Sequence, residues 1–200
     1  MFLGITLMPK NEPKSVSAYH HGDLRQALLQ AALAKADQDG AETISLAALA
    51  RAIGVSQAAP YRHFPDRDAL LAAVAEEAFK IFHANLLDAV ALSTNHDSQQ
   101  LICRAYVNFG LARPGLYRLM FASQILHHAA SEAKFKILAQ RCFQLLLKTA
   151  VPPQATKCQE HQALKIWMGL HGLVMLAQQG LIENGPVPIT VDEMIDVLLT

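Results

Sequence analysis

Residues 44–65, ISLAALARAIGVSQAAPYRHFP, constrain the fold of this chain more than any other stretch. Apolar residues recur at helical spacing from Leu46 to Ile53, which predicts a short helix with one apolar face. Gly54 permits the left-handed turn that ends a helix, and Ser56 is a suitable N-cap for a second helix over residues 57–63. Pro65 prevents that helix from continuing. Two short helices joined by a tight turn indicate a helix-turn-helix, whose second helix enters the DNA major groove.

The second predicted helix carries side chains that are able to read DNA. Phe64 and Pro60 belong to its inward side, and the residues left to face outward are Gln57, Ala58, Tyr61, Arg62 and His63. Gln bonds adenine edges, Arg bonds guanine through two N–H groups, and a small Ala approaches the thymine methyl group. The hydroxyls of Tyr61 and of Ser45, the predicted cap of the first helix, suit phosphate oxygens. The alternative role for Tyr61 and His63 is packing at the edge of the module.

The distribution of charge favours a polyanionic partner, although the net charge of the 200 residues is zero. No Asp or Glu occurs between Glu42 and Asp66, whereas Arg51, Arg62 and His63 lie inside that interval. A surface without carboxylates is what a phosphate backbone requires.

The rest of the chain is helical in pattern, and the predicted fold class is all-α. One helix is predicted over about residues 22–37, and Asp66 is the predicted N-cap of a long helix that ends near residue 92. Further helices are predicted from residue 97 to a break at 113–115, then over 116–121, 131–150 and 156–182. Thr190 and Glu193 form a capping-box pattern that opens the last helix. No strand alternation is present.

Composition excludes several classes of protein. The apolar fraction of 52% and the charged fraction of 17% indicate a globular protein with a large buried surface. No apolar run reaches the roughly 18 residues of a membrane span, and the opening MFLGITLM is followed rather than preceded by lysines, so a cytoplasmic location is predicted. Cys103, Cys142 and Cys158 are far apart and are predicted to be reduced thiols, with a redox switch as the minor alternative.

Residues 20–79 resemble the TetR family of bacterial transcription regulators. The similarity covers HHGDLRQALLQAAL and LAALARAIGVSQAAPYRHFPDRDALLAAVAEEAF, including the glycine turn and the Tyr-x-His-Phe ending of the recognition helix. ARPGLYRLMF, together with Trp167, His171 and Gly172, resembles the WHG-type C-terminal domain of some family members. Pro60 departs from the family pattern, in which Leu or Val is common. We expect it to leave the fold intact and to make the start of the recognition helix irregular.

Residues 1–19 have no apolar period and are predicted to form a flexible N-terminal arm. The resemblance implies a three-helix DNA-binding domain (20–82) and a C-terminal helical bundle (83–200) for ligand binding and dimerisation. The positions that it places on DNA are Ser45, Gln57, Ala58, Tyr61, Arg62, His63 and Arg67, the last on a phosphate. It also implies a homodimer through the C-terminal helices. An effector pocket is expected as well, and the candidate pocket residues are Tyr106, Phe109, Met120, Phe121, Trp167 and His171. Ordinary core packing is an equally good explanation for each of them. A largely apolar effector with one polar group would suit them.

The resulting hypothesis is a ligand-responsive transcription regulator, a repressor that a small molecule releases from double-stranded operator DNA. No catalytic residue, metal or cofactor is expected. One alternative is a helical metal-dependent enzyme that uses some of the nine histidines, but the chain has neither an HExxH motif nor a nucleophile elbow. The other is an interaction protein that has lost DNA binding. Measuring bound metal tests the enzyme hypothesis, and a gel shift distinguishes the regulator from the interaction protein.

Overall fold

The computed structural model describes residues 21–94, 97–122, 132–150 and 159–200, which form eight α-helices and no strand. The helices are α1 (His21–Asp39), α2 (Leu46–Ala52), α3 (Arg67–Leu92), α4 (Ser98–Ala112), α5 (Pro114–Ala122), α6 (Glu132–Ala150), α7 (Gln159–Gln178) and α8 (Val191–Leu199). The all-α prediction is confirmed. The predicted arm 1–19, Cys158 and the predicted start of the helix at 156–182 lie outside the described residues.

The first helix of the predicted helix-turn-helix begins and ends where its residues require. The Ser45 hydroxyl accepts a hydrogen bond from the Ala48 amide at 3.2 Å, which satisfies one of the free N–H groups at the start of α2. Gly54 has a φ of 75°, a conformation that costs a glycine little, and the chain reverses there. Both predictions are confirmed.

The prediction that residues 57–63 form the second α-helix of the motif is wrong. Residues 57–59 are turns, and only a 3-10 turn, Pro60–Arg62, follows them. Pro60 has no N–H to donate to the carbonyl of Ser56, so the α-helical ladder lacks a bond at its first turn. The amides of Arg62 and His63 instead bond the carbonyls of Ala59 and Pro60, at 3.3 and 2.9 Å. The irregularity expected at the start of this element extends through all of it.

α3 is the long helix of the molecule and belongs to both halves. The Asp66 carboxylate accepts from the Ala69 amide at 2.7 Å and caps the helix, as predicted. Leu70 and Leu71 near its start, and Phe82 and Leu86 further along, belong to one core cluster, and all four are fully or almost fully buried. One continuous core therefore joins the two halves.

The C-terminal helices begin and end at identifiable signals. The predicted capping box opens α8, with Thr190 and Glu193 bonded reciprocally. α7 ends at Gln178, four residues before the predicted end at 182. Gly180 has a φ of 69°, and the Leu181 amide bonds back to the Leu176 carbonyl at 3.0 Å, which is the bonding of a glycine-terminated helix.

α5 is the short helix that touches both halves of the molecule. Its Gly115 lies so close to the end of α1 that a Cβ there would overlap the carbonyl oxygen of Ala36. Arg113, just before α5, forms an ion pair of 3.4 Å with Asp37 of α1. A side chain at position 115 would separate the two helices, so the glycine sets their spacing.

Candidate nucleic-acid interface and apolar cavity

The recognition segment, residues 57–63, presents a polar and cationic surface. Gln57, Ala58, Tyr61 and Arg62 are exposed, and His63 is half-buried. Tyr61 leaves 54% of its surface in solvent, although it is aromatic. No carboxylate interrupts the chain from residue 43 to residue 65. The surface is therefore suited to a negatively charged partner with hydrogen-bonding edges.

Buried apolar residues and Arg25 pack at the recognition segment, and Arg67 fixes the chain just before α2. Pro60 and Phe64 are buried beneath it. The guanidinium of Arg25, on α1, lies over the Phe64 ring at 5.1 Å, a cation–π contact that the sequence analysis missed. Arg67 donates from Nη2 to the Ala41 carbonyl at 2.8 Å and from Nε to the Ile44 carbonyl at 2.9 Å.

These contacts define a second role for Arg67, which the resemblance placed on a phosphate. Its guanidinium ties the start of α3 to the segment that precedes α2 and thereby fixes the position of the helix-turn-helix. Of the other predicted DNA contacts, Ser45 is exposed while its hydroxyl caps α2. Contact between these residues and DNA remains a prediction.

A cavity of about 350 Å³ lies between α3, α4, α5, α6 and α7. Three of the predicted ligand-binding residues line it, and these are Tyr106, Phe121 and Trp167. The other lining residues are Phe79, Phe82, Ala139, Gln140, Cys142, Phe143, Leu146 and Leu164. The sequence analysis missed Phe79 and Phe82, which lie in the predicted long helix and are buried on α3.

The remaining three candidates lie behind the cavity wall. Phe109 packs on Phe82 with ring centroids 4.8 Å apart, and Met120 is buried in the core. His171 stacks on Trp167 with centroids 5.8 Å apart and an interplanar angle of 23°. These residues support the wall and do not line it.

A hydrogen-bonded chain connects the cavity wall to His171. The Tyr117 hydroxyl donates to the Tyr106 oxygen at 3.1 Å and lies 2.7 Å from Nδ1 of His171. The indole of Trp167 lies beside the Tyr106 hydroxyl and partly opposes the rise in its pKa. Burial raises the pKa of both tyrosines and lowers the pKa of His171, so both hydroxyls keep their protons and the imidazole is neutral at pH 7.

The thiols and histidines of the described segments give little support to redox or metal chemistry. Cys103 and Cys142 are buried, and burial raises the pKa of each thiol to about 12, which suppresses the reactive thiolate. No group of three or more His, Cys, Asp or Glu side chains in the described residues is arranged to hold a metal ion. Within the same residues, no helix is both long and apolar enough to cross a membrane.

A helix-turn-helix joined by a long helix to a bundle that encloses an apolar cavity defines a class of DNA-binding regulators. The chain belongs to the TetR family of bacterial transcription regulators. Residues 28–74 match the family described as "Bacterial regulatory proteins, tetR family", and residues 100–200 match "Tetracyclin repressor-like, C-terminal domain". This is a family of regulators rather than enzymes, so the enzyme alternative is set aside.

Individual relatives are similar over different parts of the chain. A protein of unknown function from Rhodococcus sp. RHA1 is 31% identical, with a TM-score of 0.75 over 92% of this chain and 95% of that one. The nucleoid occlusion factor SlmA of Salmonella paratyphi B is 35% identical over 101 residues, which are 48% of this chain. The chain matches only about half the length of SlmA, 50% of its residues.

A third comparison shows the fold alone. The regulator LfrR of Mycobacterium smegmatis, solved in complex with proflavine, has a TM-score of 0.56 and 21% identity over 88% of this chain and 92% of its own.

Proposed function

We propose that this protein is a cytoplasmic, homodimeric repressor that binds operator DNA through residues 57–63 and releases it when a small molecule enters the cavity. The observation that carries the proposal is the exposed, carboxylate-free recognition segment, next to which Arg25 packs on Phe64. The division between the DNA-binding unit (20–82) and the effector and dimer unit (83–200) falls inside α3. A rigid helix therefore links the two.

The side chains of the recognition segment divide between base reading and phosphate binding. Arg62 is exposed, and its guanidinium makes no hydrogen bond or ion pair with the described residues, which suits bidentate bonding to a guanine. Gln57 reads an adenine edge, and Ala58 lets the backbone approach a thymine methyl. Tyr61, Ser45 and His63 bind phosphate oxygens, and Arg67 contributes positive charge next to the phosphates while it holds the motif in place.

The homodimer forms through the outward face of α7. Leu164, Met168 and Leu176 are exposed on this face at helical spacing, between 41% and 55%. Gly172 lies among them, and a Cβ there would meet no atom within 4 Å, so a partner helix is able to approach closely. A row of exposed apolar side chains on one helix is typical of a surface that another chain covers.

Effector binding reaches the recognition segment through α5 and α3. α5 carries Phe121 at the cavity and Gly115 against α1, whereas α3 carries Phe79 and Phe82 at the cavity and begins directly after the recognition segment. A ligand that fits the cavity better in one arrangement of these helices shifts the population of half-site spacings. LfrR, a regulator of the same fold, was solved in complex with proflavine.

A gel shift with the DNA upstream of the protein's own gene tests the proposal. The wild type should retard this DNA at low salt, and Arg62→Ala should weaken specific binding by about 1–3 kcal/mol. Arg141→Ala removes an exposed cation from α6 and serves as the matched control, with no expected loss. No retardation of any upstream fragment at low salt contradicts DNA binding. An equal loss on all sequences makes Arg62 a phosphate contact instead of a base contact.

A further inference from the structure

The cavity has almost no polar lining. Gln140 is exposed at its edge, and the described lining residues include no Asp, Glu, Lys, Arg or His. Polar atoms enter the buried part of the wall mainly from Tyr106 and Trp167, while phenylalanines from α3, α5 and α6 form much of the rest. A charged ligand would lose its hydration there without gaining a countercharge, which is strongly unfavourable.

The hydrogen bonds around Tyr106 leave the proton of its hydroxyl without an acceptor in the described part of the chain. Its oxygen accepts from the Tyr117 hydroxyl at 3.1 Å, and the Trp167 indole, which can only donate, lies beside it. Its own O–H proton has no acceptor among the described residues. With the Tyr117 proton directed at Tyr106, the contact of 2.7 Å requires the neutral tautomer of His171 that carries its proton on Nδ1 and donates it to the Tyr117 oxygen.

We propose that the effector is an uncharged, largely aromatic molecule that presents a hydrogen-bond acceptor, such as a carbonyl oxygen, to the hydroxyl of Tyr106. This inference rests on the proposed function in taking the cavity as the effector site. A cavity of about 350 Å³ is at the small end of the range for small-molecule sites, about 300–1,000 Å³. The ring walls accept a planar apolar body, and the Tyr106 proton selects one polar atom on it.

Four biphenyl probes distinguish how a hydrogen-bond acceptor, a charge and the apolar surface of a ligand each affect its affinity. Isothermal titration calorimetry of the full chain uses para-acetylbiphenyl, its hydrocarbon isostere para-isopropenylbiphenyl, biphenyl carboxylate and biphenyl trimethylammonium. The ketone should bind about tenfold more tightly than the hydrocarbon, because it satisfies a buried donor. Both charged probes should bind more weakly than the hydrocarbon. Equal affinity for ketone and hydrocarbon, tightest binding of either ion, or no binding of any probe overturns the proposal.

Two variants attribute the preference to Tyr106. Tyr106→Phe should bind the hydrocarbon as the wild type does and lose the tenfold preference for the ketone. Tyr117→Phe, the matched control, removes the neighbouring hydroxyl and should keep that preference, since the Tyr106 proton remains available. A preference that survives in Tyr106→Phe overturns the assignment.

A separate measurement distinguishes failure of this inference from failure of the proposed function. Calorimetry contains no DNA, and a gel shift of the same two variants reports operator binding independently. If the wild type retards operator DNA but shows no preference for the ketone, the ligand class alone is refuted. Trp167 is the only tryptophan of the chain, so its emission spectrum shows whether the cavity wall is preserved in each variant.

Discussion

At the scale of single residues, His171 has an environment that favours its neutral form. It lies against the rings of Trp167 and Tyr117, with centroids 5.8 and 5.5 Å away. Removal from water lowers its pKa below the ordinary value of 6.5. In the unfolded chain the imidazole regains that ordinary value, so the two states bind different numbers of protons in mildly acidic solution.

The His171 pKa predicts a loss of stability on acidification. Below pH 6.5 the unfolded chain takes up a proton at this position that the folded chain does not, so the free energy of unfolding falls until pH reaches the folded pKa. His171→Asn removes this difference and keeps an N–H donor near Tyr117. Urea unfolding from pH 7.5 to 5.5, at one protein concentration, should show a shallower fall for the variant, with a difference below the limit of ~1.4 kcal/mol per pH unit. Parallel curves would show that His171 is not the group responsible.

At the scale of elements, the recognition segment is the part whose conformation depends most on one residue. Pro60 is buried, and its ring replaces the amide that would have bonded the Ser56 carbonyl. A 3-10 turn advances each side chain about 120° around the axis, against about 100° in an α-helix, so Tyr61 and Arg62 point in directions that a regular recognition helix would not give them.

Replacing Pro60 should convert the recognition segment into a regular α-helix. In Pro60→Ala the new amide at position 60 is free to bond the Ser56 carbonyl, and the residues around it already have helical or near-helical backbone angles. We expect helical NMR chemical shifts across residues 57–63 and a loss of about tenfold in operator affinity, because Arg62 leaves its guanine. Pro65→Ala, a proline change outside the segment, is the control. Unchanged shifts in Pro60→Ala would show that packing, and not the missing amide, sets the turn.

The sequence correctly predicted the helix ends that depend on hydrogen bonds between residues close together in the chain. Ser45, Asp66 and the Thr190–Glu193 pair cap helices as expected, because a cap bonds amides two or three residues away. The prediction of an α-helix over residues 57–63 was wrong, because the pattern of apolar and polar residues does not show how many residues lose α-helical geometry when one amide is missing. The inward role of Arg67 was also missed, since its carbonyl acceptors lie 23 and 26 residues earlier in the chain. The cavity depends on five helices at once, and periodicity within each helix does not report which faces meet.

At the scale of the whole molecule, the net charge is zero, but the charged residues are unevenly distributed along the chain. The recognition segment lies in a stretch without carboxylates, whereas α8 carries Asp192, Glu193 and Asp196 in nine residues. The acidic end of the chain is thereby kept apart in sequence from the segment proposed to bind DNA. Attraction to phosphate depends on this local distribution and not on the sum over the chain.

The proposed dimer would place two recognition segments on half-sites about 34–36 Å apart. Met168 leaves 55% of its surface exposed in the middle of the apolar face of α7. Met168→Glu places a charge where two copies would meet, so it should shift light-scattering masses from dimer to monomer and weaken operator binding at least tenfold. Leu92→Glu makes the same change at the end of α3, where Leu92 is 82% exposed, and should alter neither measurement. If Met168→Glu remains dimeric, the subunits meet elsewhere; if it becomes monomeric and still binds with full affinity, one recognition segment is sufficient.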